Sequence, residues 1–279
     1  MTLNPALRQT NKISPDELAS ALAAGEDLVL LDVRHTPGQS GRKASYLAEH
    51  LPGARYIDLS TELADPQARQ AGRGNNPLPD PAKLEGDLRR LGVNRTSSVI
   101  VYDDTNGAPA ARAWWVLTWA GLGGVRVLDG GLTAWKAAGH PLAEGEVVAG
   151  SSGDVRLQIG RLPFLHIDEA GAFPRVGTLV DVRPAAYFSG DGKGHIPGAK
   201  SFPVQLLLRS DNRLVSGPEL IEKLQAADVD IAKPVAAYCG GGVASTLFTL
   251  ALAEIGKEVA LYPGSWSEWT ADNSRPVER

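Results

Sequence analysis

A chain of 279 residues, 43% hydrophobic and 22% charged, can fill about two domain-sized cores, which excludes collagen-like, coiled-coil and wholly disordered chains. A net charge of −4 argues against a nucleic-acid or anionic-membrane partner, although a local basic pocket stays compatible with it. The single cysteine excludes an intramolecular disulfide scaffold and a cysteine-rich zinc site.

The first eighteen residues, MTLNPALRQTNKISPDEL, hold no apolar run and no small-residue cleavage site, so no secretory signal is expected and a cytoplasmic location is. Ser14-Pro15-Asp16-Glu17 reads as a helix start, with a capping serine, proline in the first turn and acids at the positive end. DLVLLDV (27–33), SSVIVYD (97–103) and VRVL (125–128) are short apolar runs without polar alternation. Such strands are buried on both faces, the habit of a parallel sheet. Helices are expected over 109–117 and 131–138. The stretch 144–160 is rich in Gly and Ser and weakly periodic, as a linker is. The expected division is an N-terminal domain over 1–145, a linker over 146–162 and a C-terminal domain over 163–279. From Val235 to Ala253 there is no charge, and the length approaches that of a membrane span. Three consecutive glycines in its middle point instead to a buried strand, a tight turn and a helix over 243–255.

The chain repeats itself. LLDVR (30–34) recurs as LVDVR (179–183), and HLPGA (50–54) as HIPGA (195–199). SVIVYD (98–103) recurs as KPVAAYC (233–239), and VLDGGLTAW (127–135) as LYPGSWSEW (261–269). The order is the same in both halves, which is the mark of a tandem duplication. Strands alternating with helices within each copy predict an α/β fold of two domains, each a small, mostly parallel sheet flanked by helices.

Cys239 follows the apolar run PVAAY and precedes Gly240, Gly241 and Gly242. It therefore sits at the C-terminal end of a strand, the edge at which open α/β sheets bind ligands. A glycine-rich turn can aim several N–H groups at one point, and the following helix adds its positive end. Both favour a thiolate or a persulfide anion over the protonated form. The alternative is a buried, inert structural cysteine.

The loop Cys239-Gly240-Gly241-Gly242-Val243-Ala244 resembles the active-site loop of the tandem-domain rhodanese family, the thiosulfate and 3-mercaptopyruvate sulfurtransferases. The DVR strand ends, the His-(Leu/Ile)-Pro-Gly-Ala turns, the VYD-like strand and GSWSEW (264–269) also resemble family features, in the family order. The resemblance implies a rhodanese-like fold in each half, with a catalytic C-terminal domain and an inactive N-terminal one. Aligning Tyr102 with Tyr238 sets Asp103 opposite Cys239, and a carboxylate cannot carry sulfur. The implied partners are a small anionic sulfur donor and a cyanide or thiol acceptor, with no metal or organic cofactor. The implied persulfide on Cys239 rests among the N–H groups of Gly240, Gly241, Gly242, Val243 and Ala244.

Several positions depart from the family pattern. Mercaptopyruvate enzymes carry a serine where Gly241 stands and a histidine where Asn76 stands; of that proton relay only an aspartate, matching Asp58, is left. Thiosulfate enzymes carry basic residues where Gly240 and Gly241 stand. Thiosulfate is the expected donor, with 3-mercaptopyruvate the alternative. Arg183 matches an arginine that grips the substrate anion, but Arg34 holds the same place in the other half, so a structural ion pair is equally open. A second family arginine is Tyr187 here. Arg73 is a candidate source of positive charge from the N-terminal half, or a solvated loop arginine. His50 and His195 are expected to brace turns. A cysteine phosphatase would need an arginine at position 245, which is Ser245. A non-catalytic sulfur carrier with a vestigial loop is the remaining alternative.

Overall fold

The computed structural model describes residues 10–39, 41–189 and 193–279. Two parallel sheets, one per half of the chain, set the frame. The first holds β1 (Lys12–Ile13), β2 (Leu28–Asp32), β3 (Arg55–Tyr56), β4 (Ser98–Tyr102) and β5 (Val125–Leu128), in the order β1-β5-β4-β2-β3. The second holds β6 (Thr178–Asp181), β7 (Lys200–Ser201), β8 (Val235–Tyr238) and β9 (Val259–Leu261), in the order β7-β6-β8-β9. Every strand pairing is parallel. Parallel neighbours require crossovers, and helical crossovers cover both faces of the sheet. This is why the strand sequences lack polar alternation: Val99 to Tyr102 and Val235 to Tyr238 are wholly buried.

The two sheets are copies. β5-β4-β2-β3 in the first corresponds to β9-β8-β6-β7 in the second. Asp32 pairs with Tyr102 in one, and Asp181 with Tyr238 in the other. The extra strand β1 has a reduced counterpart, a single parallel bridge between Phe164 and Leu261. The repeated turns also match. Nδ1 of His50 lies 2.9 Å from the Tyr46 carbonyl, and Nδ1 of His195 lies 2.9 Å from that of Phe188. The next amide in each turn, of Leu51 or Ile196, donates to the hydroxyl of the strand tyrosine, Tyr102 or Tyr238. Both histidines thus brace backbone.

Local sequence explains the helix starts. Ser14 and Glu17 form a reciprocal capping box at the helix Pro15–Ala23. The helix expected over 109–117 runs Ala108–Trp119, and that over 131–138 runs Gly131–Ala137. Gly131 has φ +57°, and a Cβ there would stand 2.4 Å from the Asp103 carbonyl oxygen, so only glycine fits. The uncharged stretch 235–253 divides into strand β8, a turn and the helix Ala244–Glu254. No helix among the described residues is long and apolar enough to cross a membrane.

Helices Ala108–Trp119 and Ala244–Glu254 pack against each other where the two halves meet. The first is buried along its whole length and the second from Ser245 to Ala253. A helix apolar all round belongs in an interior. Trp115, Val127, Leu247 and Phe248 accordingly share one core that runs through both halves. The segment between the halves is largely exposed and anchored at a few points: Val155 and Leu162 are buried, and Gly153 donates to the Arg89 carbonyl at 2.8 Å.

Candidate active site

Cys239 follows the last residue of β8 and is buried, with only 3% of its surface exposed. Its sulfur accepts the Gly242 N–H at 3.1 Å and the Ser245 hydroxyl at 3.4 Å. Among the described residues, Gly242 is the member of the glycine-rich turn whose N–H reaches Sγ; the amides of Gly240, Gly241, Val243 and Ala244 do not make that bond. Gly242 takes φ +79°, a conformation that favours glycine, and a Cβ there would lie 2.3 Å from the Pro263 carbonyl oxygen, so a larger residue would displace the peptide that carries this amide. Val243 then caps the helix Ala244–Glu254, whose first turn supplies Ser245.

A second loop closes on the cysteine from β9. Ser265 has φ +54°, a conformation that costs a non-glycine residue roughly 1–2 kcal/mol. In that conformation its Oγ accepts the Cys239 N–H at 3.2 Å, donates to the Tyr262 carbonyl at 3.0 Å and lies 3.8 Å from the sulfur. The Trp266 amide donates to the Cys239 carbonyl, and that of Ser267 to the Gly240 carbonyl. Glu268 is buried on the short helix Ser265–Trp269 that follows, and burial, with the Glu268 carboxylate next to it, pushes the Tyr262 hydroxyl well above the usual phenol range.

The N-terminal half supplies the rest. Asn76 donates from Nδ2 to the Gly241 carbonyl at 2.8 Å. Asn75 donates its backbone N–H to Ser267 Oγ at 2.9 Å. A Cβ on Gly241 would lie 2.8 Å from the Asn75 Cβ, so this position has no room for a larger residue without movement. Arg112, fully buried on the helix Ala108–Trp119, donates to the carbonyls of Gly242, Leu63, Asn76 and Pro77 at 3.0–3.1 Å. Burial lowers its pKa to about 10, opposed by attraction to the cysteine sulfur.

Three expected site residues lie as follows. Arg73 is largely exposed and ion-pairs through Nε with Glu268 at 2.7 Å, joining the two halves. Arg183 is buried; its Nε and Nη2 bind the Asp181 carboxylate, Nη2 also binds the Gly194 carbonyl, and the guanidinium lies over the Trp266 ring at 4.3 Å. Arg34 makes the corresponding pair with Asp32 through Nε, and its Nη1 and Nη2 donate to the carbonyls of Ser45 and Glu49. Asp58 caps its own turn, accepting from Ser60 N at 2.8 Å and the Tyr56 hydroxyl at 3.2 Å, and none of its hydrogen bonds reaches the Cys239 loop.

The duplicate of the cysteine loop carries an acidic side chain in the place of the cysteine. Asp103 follows β4 as Cys239 follows β8, and each is followed five residues on by the first residue of a buried helix. Oδ1 of Asp103 accepts Thr105 N at 2.7 Å, Thr105 Oγ1 at 2.9 Å and Gly107 N at 3.2 Å, while Oδ2 accepts Ala110 N at 3.0 Å. Burial raises the Asp103 pKa, and these four donors oppose that rise. The Leu132 amide donates to the Asp103 carbonyl as that of Trp266 donates to Cys239.

Sequence reasoning missed Arg112, Ser245 and Ser265 as parts of the site, and found Asn76 only as the place of an absent histidine. Arg112 left a readable trace: a lone charge in the otherwise apolar helix start PAARAWWVL. The two serines left none, because hydroxyls are common at helix starts and in loops.

A parallel α/β unit built twice, with a cysteine on the turn after one central strand, defines a class of protein. The family model described as the rhodanese-like domain matches residues 14–138 and again 167–272. The chain belongs to the rhodanese-like family. It is 40% identical to "Putative thiosulfate sulfurtransferase SseB" of Mycobacterium tuberculosis, over 96% of each chain. It is 33% identical to the 3-mercaptopyruvate sulfurtransferase of Escherichia coli, over 90% of this chain and 92% of that one. The crystal structure of SseA from Escherichia coli, a 3-mercaptopyruvate sulfotransferase, superposes with a TM-score of 0.82 at 31% identity, covering 92% of this chain and 99% of that one.

Proposed function

We propose that this protein is a sulfurtransferase that carries sulfane sulfur on Cys239. The observation that carries the reading is the sulfur of Cys239 in a buried cradle, taking an N–H at 3.1 Å and a hydroxyl at 3.4 Å. The duplicate cradle supports it, because that loop holds a carboxylate on four donors and so is built for an anion. Asp103 cannot form a persulfide, so the C-terminal half does the chemistry.

The reaction runs in two displacements. The Cys239 thiolate attacks the outer sulfur of the donor. A new S–S bond forms, the donor's bond to that sulfur breaks, and its electron pair leaves with sulfite or, from 3-mercaptopyruvate, with the pyruvate enolate. Cyanide or a thiolate then attacks the outer sulfur of the persulfide and returns the electron pair to Cys239. Neither step needs an oxidant, a metal or an organic cofactor. The outer sulfur stands one S–S bond, about 2 Å, beyond Sγ. There the amides of Gly240, Gly241, Val243 and Ala244, which do not bind Sγ, are the remaining donors of the cradle.

Thiosulfate is the favoured donor. Sulfite leaves as a stable anion, whereas an enolate must gain a proton. Gly241 and Asn76 offer no titratable group, and Asp58 is engaged in its own turn. Arg183 acts as a structural residue, the twin of Arg34, and Arg73 joins the two halves through Glu268. A single free cysteine, with no disulfide partner in the chain, supports a reducing, cytoplasmic location.

The test is steady-state transfer to cyanide from thiosulfate and from 3-mercaptopyruvate with one preparation. A higher kcat/KM with thiosulfate is expected. A preference for 3-mercaptopyruvate would overturn the donor assignment, and stoichiometric persulfide without turnover would favour a sulfur carrier.

A further inference from the structure

The peptide that holds the cysteine sulfur is itself held from the other half of the chain. The Gly241–Gly242 peptide has two polar ends. Its N–H, on Gly242, donates to Cys239 Sγ at 3.1 Å. Its carbonyl, on Gly241, accepts the side-chain amide of Asn76 at 2.8 Å. A hydrogen bond at the carbonyl end polarises the peptide and strengthens the donor at the other end. The next carbonyl, of Gly242, accepts Arg112 Nη1 at 3.0 Å, and Arg112 also binds the carbonyl of Asn76 at 3.0 Å. One guanidinium therefore fixes both the cradle and the residue that orients it.

Arg112 also presents an unbalanced charge. Its side chain is fully buried, and no carboxylate among the described residues lies within ion-pair distance of it. Its Nε has no hydrogen-bond partner among them. Four carbonyl dipoles solvate the cation without neutralising it. A buried charge of this kind is costly unless an anion compensates it. The other charged side chains on the loops around Cys239 are already paired, Arg73 with Glu268 and Arg183 with Asp181. The group left to balance Arg112 is the anion that the reaction generates at Cys239.

We propose that Arg112 is the counter-cation of the Cys239 thiolate and persulfide, delivered across the boundary between the halves, and that Asn76 orients the peptide donating to that sulfur. Both are positioning residues: neither touches the transferred atom. On this account the N-terminal half, though it cannot carry sulfur, completes the electrostatics of the half that does. The inference rests on the sulfur-transfer reading above for its purpose but not for its test.

The test is the pH profile of Cys239 alkylation by iodoacetamide in the full-length protein, read by intact mass; the single cysteine makes the signal unambiguous. Arg112→Met removes the charge at similar volume, Arg112→Lys keeps it, and Asn76→Ala removes one hydrogen bond at a loop. Arg112→Met is expected to move the profile upward by about one pH unit, an about tenfold slower alkylation on its acid limb. Arg112→Lys should restore most of that, and Asn76→Ala should give a smaller upward shift. In sulfur transfer Arg112→Met and Asn76→Ala should lower kcat with little change in donor KM. A folded Arg112→Met that titrates as wild type, or an Arg112→Lys displaced as far as Arg112→Met, overturns the counter-cation. If Arg112→Met does not fold, Asn76→Ala decides: an unmoved profile overturns the proposal. Alkylation requires no sulfur donor, so a wild-type protein without turnover would remove the sulfurtransferase reading and leave this result to stand by itself.

Discussion

At Cys239 the balance between an inert buried thiol and a nucleophile turns on a few donors. The Ser245 hydroxyl, 3.4 Å from the sulfur, is one of them, and a hydrogen bond to a charged group contributes about 1.5–3 kcal/mol. Ser245→Ala should therefore slow persulfide formation by about tenfold or more, while Cys239→Ser should abolish transfer. Stopped-flow sulfite release measures both, and an unchanged rate in Ser245→Ala would remove that residue from the cradle. Arg183 calls for a different outcome. Its guanidinium is sealed between Asp181, the Gly194 carbonyl and the Trp266 ring. Arg183→Ala leaves Asp181 buried without its partner, which costs about 3–5 kcal/mol. Thermal melts should show the loss with the donor KM unchanged; a raised KM at an unchanged melting temperature would return Arg183 to substrate binding. From sequence, Arg183 and Arg34 stood as equals, and the two readings could not be separated. What separates them is the third partner of each guanidinium, a carbonyl eleven or fifteen residues away in the chain.

At the scale of elements, the reactive loop is a strand end, a three-glycine turn and a helix start. All three were legible. Buried parallel strands carry unbroken apolar runs, glycines mark the turn, and the helix begins within one residue of expectation at Ala244. The way the turn points its amides was not legible, because that depends on the loop from β9. Pro263 and Ser265 press on Gly242 and Cys239 from a segment more than twenty residues further along. Gly242→Ala should thus cost at least tenfold in kcat, since its Cβ meets the Pro263 carbonyl and its φ of +79° strains any side chain. Steady-state rates beside a melting curve check this, and wild-type activity in that variant would show that the Gly242 amide is not needed.

Across the whole molecule, the duplication was readable in the sequence because the strand ends and turns that repeat are those that a parallel sheet needs at fixed places. The joining of the copies was not, since apolar helix faces do not name their partners. Helices Ala108–Trp119 and Ala244–Glu254 share a core, and Arg112 and Asn76 reach from one half to the glycine-rich turn of the other, as Arg73 reaches the helix Ser265–Trp269. Two halves with one core should unfold together, as a single calorimetric transition with equal calorimetric and van't Hoff enthalpies. Two resolved transitions would mean that the halves are independent. The central claim, that Cys239 carries the transferred sulfur, is tested most directly by intact mass spectrometry of the protein after thiosulfate and then cyanide. The account predicts one added sulfur atom on Cys239, lost again as thiocyanate when cyanide is added, and none on Cys239→Ser. An unmodified wild-type protein, or sulfur retained by the serine variant, would contradict it.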